Sequence, residues 1–303
     1  MSVRLVVRAG EGGSIGEVLA LHGAGAALAE GRVFVGAKRV DDPGLAVSEG
    51  DEIVVEAPRA VQGEVHVVSE YRNLYAVAKP AGLPTEPDRS GTASVLHSLA
   101  EALGVPPSVL HAATRLDAQV SGVVVIARGA EAARHAAELK ATGTLCRRYL
   151  AVASRAVEPK SGTWNTPIGS GRGGVPALGG RGARDALTRY ETLATARPLA
   201  SAPAPVLLGV EPVTGRTHQI RLHAAGAGAP LLGDVKHGGL RRVVLPDGRA
   251  LTVERVALHA AEVRVLVGGV AAWTASVPFP EDLATLWAAL GGDPEAPSRE
   301  RRE

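Results

Sequence analysis

The stretch "TRLDAQVSG", Thr114 to Gly122, runs straight into "VVVIA", Val123 to Ala127. A short unbroken apolar run bounded by turn residues reads as a buried strand. At its mouth stand an arginine, Arg115, and a carboxylate, Asp117. Charges placed against a buried segment need partners, because an unpaired one is costly there. The strongest candidates lie roughly a hundred residues downstream, in "GRTHQIRLHAAGAGAPLLGD", Gly215 to Asp234. That segment carries Arg216, His218, Gln219, Arg221 and His223. His218 and Arg221 are three apart and can share a helical face. Arg221 has apolar residues on both sides, so it calls for a carboxylate, and Asp117 would supply it.

Around this pair the pattern is rich in strands. Strands are expected at "VHVVS", "LYAVAK", "GVVVIAR", "RRYLAVA", "LTRYETLA", "PVLLGVEP", "HAAEVRVLV" and "AAWTASV". Helices are expected at "ASVLHSLAEALG", "AEAARHAAELKATG", "THQIRLHAAGAG" and "EDLATLWAALG". The strands outnumber the helices and do not alternate with them. The expected class is therefore α+β, with a mixed, largely antiparallel sheet, rather than a doubly wound one. This domain is placed at residues 65–290. Residues 1–57 read as a smaller α+β unit: the strand "VRLVV", an N-cap at Ser14, a helical stretch "IGEVLALHGAGAALAEG" closed by Gly31, then short strands ending in "DEIVVEAP". "PRAVQGE" is the expected linker. The charged end "DPEAPSRERRE", within residues 291–303, reads as a disordered tail.

The 303 residues suit about two domains, and the 46% hydrophobic fraction suffices for a core. Aromatic residues make up only 3%, which argues against RNA reading by stacked aromatic platforms. The net charge of +2 permits a nucleic-acid partner without demanding one. A single cysteine, Cys146, excludes an internal disulfide framework and a cysteine zinc site. No apolar run is long enough for a membrane span or a signal peptide, so a cytoplasmic protein is expected. "GSGRGGVPALGGRGARD", Gly169 to Asp185, lacks the G-x-x-x-x-G-K-S/T pattern of a nucleotide loop. It reads as a flexible basic loop, either an RNA phosphate contact through Arg172, Arg181 and Arg184 or a tolerated surface insertion.

The motifs resemble those of the RluA-type pseudouridine synthases. "TRLDAQVSG" is similar to the family's H-R-L-D-x-x-T-S-G, "YAVAKPAGLPT" to its N-K-P-x-G segment, and "CRRYLAVA" to its K-x-Y-x-A segment. "GRTHQIRLHAAGAGAPLLGD" and "VALHAAEVRV" follow in family order. The helix and short strands of residues 1–57 resemble a small RNA-binding module first known from a ribosomal small-subunit protein. Its helical stretch carries no Lys or Arg, where RNA-binding versions are basic.

The resemblance implies an enzyme that isomerises specific uridines to pseudouridine in ribosomal or transfer RNA. Asp117 then matches the essential aspartate, acting as a nucleophile at C1′ or as the base that lets a glycal form. Arg221 matches the arginine that pairs with it. Tyr149 matches the tyrosine that packs on the flipped uracil. Arg115 matches an arginine that enters the stack vacated by the base. Arg216, His218, Gln219 and Lys79 are expected to contact RNA. No metal or cofactor is implied, since the reaction is redox-neutral, and a monomer is expected. Two positions depart from the pattern: Thr114 replaces the family histidine and Val120 the threonine. Both remove hydrogen-bonding groups near Asp117, and they leave an alternative: a catalytically weak RNA-binding or RNA-chaperone protein on the same fold. A glycosidase reading is disfavoured because such enzymes pair two carboxylates and no second acid stands beside Asp117 in the motifs.

Overall fold

The computed structural model describes residues 3–11, 13–29, 33–36, 38–40, 42–55, 64–87, 93–171, 175–200 and 202–299. Its centre is a ten-stranded sheet. Eight strands follow one another across it: His66–Tyr71, Leu74–Lys79, Ser121–Arg128, Leu258–Val267, Leu145–Ala153, Val206–Pro212, Thr188–Thr195 and Ser161–Trp164. Every neighbouring pair is antiparallel except Ser121–Arg128 with Leu258–Val267, which run parallel for two residues. Leu110–Ala112 and Val270–Ser276 join the sheet off this line. The mixed, largely antiparallel α+β class follows from this pairing.

The run that opened the sequence is the Ser121–Arg128 strand, buried over seven of its eight residues. Its alternation sends Val124 and Ile126 to one face and Val123, Val125 and Ala127 to the other. Both faces are covered, so the strand reads as continuous rather than alternating hydrophobicity. The first face packs on helix Val95–Leu103; the second packs on helix Gly129–Ala141. Further along the second face, Leu150 and Val152 meet Leu283, Leu286 and the fully buried Trp287 of helix Glu281–Ala289.

Gly122 is a requirement of the parallel pairing. Its φ is +125°, and a Cβ there would run into the backbone of Ala260. The Asp117 turn is thereby drawn against the start of the Leu258–Val267 strand.

Residues 3–55 form a separate four-stranded sheet with a core of its own around Ile15, Val18, Leu19, Val33 and Ile53. Ser14 is the N-cap, with a full capping box to Glu17. The expected single helix is two, Ile15–Leu21 and Gly25–Ala29, broken at Gly23, whose φ is +66°. Part of the linker and the closing Gly31 lie outside the described residues.

Two expectations are corrected. Gly169–Asp185 is not a plain loop. Ile168–Ser170 pairs with Pro176–Leu178 and with Arg181–Arg184 in a small sheet, and Ile168 and Leu178 pack on Leu222. Arg172 lies outside the described residues, whereas Arg181 and Arg184 sit exposed on a strand. The expected disordered tail is ordered at least through residue 299. It includes a short helix, Ala296–Arg299, and Ala296 packs into the Trp287 cluster.

Candidate active site

The turn Asp117–Val120 is closed by a hydrogen bond from Val120 N to Asp117 O at 2.9 Å. Three neighbours fix it from the 79–85 segment. Thr85 Oγ1 both donates to Leu116 O and accepts from Leu116 N, each at 3.0 Å. Gly82 N donates to Ala118 O at 2.7 Å. Lys79 Nζ donates to Ala118 O, Pro80 O and Leu83 O at 3.1, 2.8 and 2.6 Å. Lys79 is 2% exposed, and all three ammonium donors are used. Burial first, then the charge of Arg255, push its pKa down to about 7. The expected RNA contact by Lys79 is therefore corrected to a tie inside the protein.

The two departures from the family pattern have local explanations. Thr114 Oγ1 accepts from Val125 N at 2.8 Å and is buried, so this position still bonds the strand it precedes. Val120 is 2% exposed and packs with Leu116 and Tyr149. Beside it, Ser121 Oγ and His259 Nδ1 are 2.9 Å apart, a bond the sequence did not disclose.

The opposite wall is helix Gln219–Gly226, of which residues 219 through 224 are all buried. That is why its sequence shows no polar face. Arg221 Nη1 donates to Asp117 Oδ2 at 2.6 Å. Its Nε and Nη2 donate to Asp234 Oδ2 and Oδ1 at 2.8 and 2.7 Å. Burial works against the guanidinium charge, but the bonds from Asp234 and Asp117 outweigh it and raise its pKa. Asp234 is 1% exposed in its side chain, and both its oxygens are engaged. Sequence reasoning missed it: a second carboxylate does stand in this cluster. It cannot serve as the partner acid of a glycosidase, because it is buried and committed to Arg221.

The remaining expected residues divide. His218 adopts φ +57° just before the helix, with Nε2 3.6 Å from Asp117 Oδ2. Its Nδ1 lies 2.8 Å from His237 Nε2. Burial lowers the His218 pKa to about 4 against the pull of Asp117. Gln219 is buried and fully bonded, to Thr214, Arg216 N, Leu187 O and Thr188, so its expected RNA contact is corrected to an internal brace. Arg216 is half-buried at the rim and donates from Nε to Asp185 O at 2.9 Å. Arg115 projects outward, 73% exposed, with Glu86 3.2 Å away.

Between the turn and the helix lies a cleft lined by Asp117, Tyr149, Arg147, Ile220, Arg221 and Leu258 among others. Tyr149 is 5% exposed, and burial raises its hydroxyl pKa. A second cleft, lined by Arg115, Asp117 and Arg216, opens beside the first. An apolar slot faced by a tyrosine, with an arginine-held carboxylate at its edge, can take a planar base and place its sugar at the carboxylate.

A mixed sheet carrying such a slot, with the exposed Arg115 and the half-buried Arg216 at its rim, suits an enzyme that acts on a nucleotide of RNA. Residues 73–226 match the family described as RNA pseudouridylate synthase. The chain belongs to that family, in its RluA-type branch, and is an isomerase acting on uridine in RNA. It is 31% identical over 256 residues to the RNA pseudouridine synthase YhcT of Bacillus subtilis, covering 80% of each chain. It is 34% identical over 245 residues to the ribosomal large subunit pseudouridine synthase D of Xanthomonas campestris, covering 76% of this chain and 70% of that one. The fold resembles the solved structure of human RNA Pseudouridylate Synthase Domain Containing 4, with a TM-score of 0.57 and 24% identity over 75% of this chain and 93% of that chain. No helix among the described residues is long and apolar enough to cross a membrane.

Proposed function

We propose that Asp117 is the catalytic carboxylate and that the substrate is ribosomal RNA of the large subunit. The observation that carries the first part is the 2.6 Å bond from Arg221 to Asp117 at the edge of the Tyr149 cleft. The C1′–N1 bond breaks, the uracil turns, C5 joins C1′, and the proton lost from C5 is balanced by one taken up at N1. Asp117 acts at the ribose, as a nucleophile at C1′ or as the base that lets a glycal form. Arg221 bonds the carboxylate and aims it. Tyr149 packs on the uracil, and Arg115 fills the stack that the base leaves.

The choice of RNA rests on relatives such as the Xanthomonas enzyme, whose name specifies the ribosomal large subunit. In this reading residues 65–290 are the catalytic unit, and the protein works as a monomer in the cytoplasm. The alternative of a weakened RNA-binding protein loses support from Thr114, which keeps a hydrogen bond at the altered position. Mapping pseudouridines in ribosomal and transfer RNA, with and without this chain, tests the proposal. Sites lost from large-subunit RNA on deletion, and restored by the wild-type chain, are expected. Loss confined to transfer RNA would move the substrate, and no lost site would remove the activity.

A further inference from the structure

Two arginines of the cleft differ from the others that the fold shelters. Arg148 is tied to Glu191 and Glu211, Arg221 to Asp117 and Asp234, Arg255 to Asp282, and Arg264 to Glu211 and Glu262. Arg147 and Arg216 are half-buried and line the cleft, yet neither has a carboxylate partner among the described residues. A guanidinium kept partly out of water without a counter-charge is a group waiting for an anion.

Arg147 is also pre-set. Its Nη2 donates to Pro212 O and Thr214 O, both at 3.0 Å, and its Nε is buried without a partner. The two carbonyls hold the guanidinium against the 212–216 segment. Arg216 is held on the other side through Asp185 O. Between them is Gly215, exposed and lining both clefts. A Cβ there would stand 3.6 and 3.8 Å from Arg147 Nη1 and Nη2, so any longer side chain would lie over the guanidinium. Arg147 precedes Tyr149 by two residues on one strand, roughly 6–7 Å along it, and both line the same cleft.

The geometry points to a phosphate subsite at Gly215, between Arg147 and Arg216, which takes a backbone phosphate flanking the target uridine. This rests on the function proposed above. With the base on Tyr149 and the ribose at Asp117, the adjoining backbone must leave the cleft along its rim. Two uncompensated cations and an open glycine backbone stand there. A base carbonyl brings no negative charge, whereas a backbone phosphate brings one and has oxygens enough to accept from both guanidinium groups. Arg147 is thus a binding residue that positions the nucleotide, and Asp117 keeps the chemistry.

The test uses the full chain and two probes. The first is a large-subunit ribosomal RNA transcript, titrated with salt. Arg147→Gln is expected to reduce the slope of log affinity against log salt by about 0.7, the value of one single-strand phosphate contact. Arg147→Lys should keep most of the slope. KM should rise more than kcat falls. The second probe is a short uridine-containing oligonucleotide from that RNA, with a neutral methylphosphonate at either phosphate flanking the target. One replacement should weaken binding to the wild type and leave Arg147→Gln indifferent. An unchanged slope, with equal methylphosphonate sensitivity in both proteins, overturns the subsite. Should Arg147→Gln not fold, the wild-type measurement decides: no loss at either phosphate overturns it. If the wild type converts no uridine but Arg147→Gln still flattens its salt slope, the proposed function is defeated and the subsite stands.

Discussion

Asp234 holds Arg221 through two hydrogen bonds, at 2.8 and 2.7 Å, and leaves only its Nη1 edge for Asp117. One guanidinium thus serves two carboxylates in different surroundings. Asp234 is 1% exposed and acts as an anchor, while Asp117 is 31% exposed and faces the cleft. The anchor converts a flexible side chain into a fixed one before substrate arrives.

Asp234→Asn is expected to lower kcat by about 10²-fold, the scale of a slight misplacement of a reacting group. It also breaks a buried pair, at a stability cost of roughly 3–5 kcal/mol. Rates measured well below the variant's melting temperature separate the two effects. A normal rate in the folded variant would show that Arg221 does not need this anchor.

The histidine pair predicts an acid limb in stability. Burial lowers His218 to about 4 despite Asp117, with Arg221, Lys236 and His237 pushing the same way as burial. His237 is also lowered, first by burial. Asp234 and Asp117 oppose that shift, while Arg221 and Lys236 add to it. The unfolded chain takes these protons near pH 6.5, whereas the folded chain takes that of His218 only near 4 and that of His237 below its ordinary range. Between those values the unfolded state binds more protons, so stability falls as pH drops through the window. A second proton would also remove the acceptor from the 2.8 Å bond between the two rings. His218→Gln should give a shallower loss of urea midpoint between pH 6.5 and 4.5. Parallel curves for variant and wild type would rule this pair out as the source.

The N-terminal unit is expected to contribute little to catalysis. Residues 1–57 carry five Lys and Arg against nine Asp and Glu, a poor match for phosphate. A chain starting at Val65 should keep most of the activity and nearly the same salt slope. Lost activity in a chain that still melts cooperatively would give the unit a direct role.

What the sequence disclosed was whatever local chemistry decides. The Ser121–Arg128 strand was legible because its apolar run is bounded by turn residues. Ser14 was legible as a cap because it stands just before a helical stretch, and the structure adds the box to Glu17. The Asp117–Arg221 pair was legible because an arginine amid apolar residues demands a carboxylate. Asp234 was hidden, since an acid after "GAPLLG" resembles a solvated turn residue, and only the folded chain returns it to Arg221. Lys79 misled for the converse reason: three carbonyls gather around it only after folding. The Gly169–Asp185 segment misled by composition. Its glycines suggest freedom, but Ile168 and Leu178 seat it on Leu222.

The last prediction concerns Asp117 itself. Asp117→Asn should abolish isomerisation and leave RNA binding nearly unchanged. The amide keeps the shape of the carboxylate, and its carbonyl can still accept from Arg221 Nη1. It loses the negative charge, and with it the capacity to attack C1′ or take a ribose proton. Affinity depends mainly on phosphate contacts elsewhere on the surface, so it should change little. Arg221 keeps both bonds to Asp234 in this variant, so its charge is not left unpaired and the fold should hold. Arg221→Ala is the less clean experiment, because it strands two carboxylates, one of them fully buried. The measurement is tritium release from C5-labelled uridine in a confirmed RNA target, run beside a binding titration. An Asp117→Asn protein that binds normally and releases no tritium is the expected result. If it releases tritium at the wild-type rate, Asp117 is not the catalytic group and the chemistry must be sought elsewhere in the cleft.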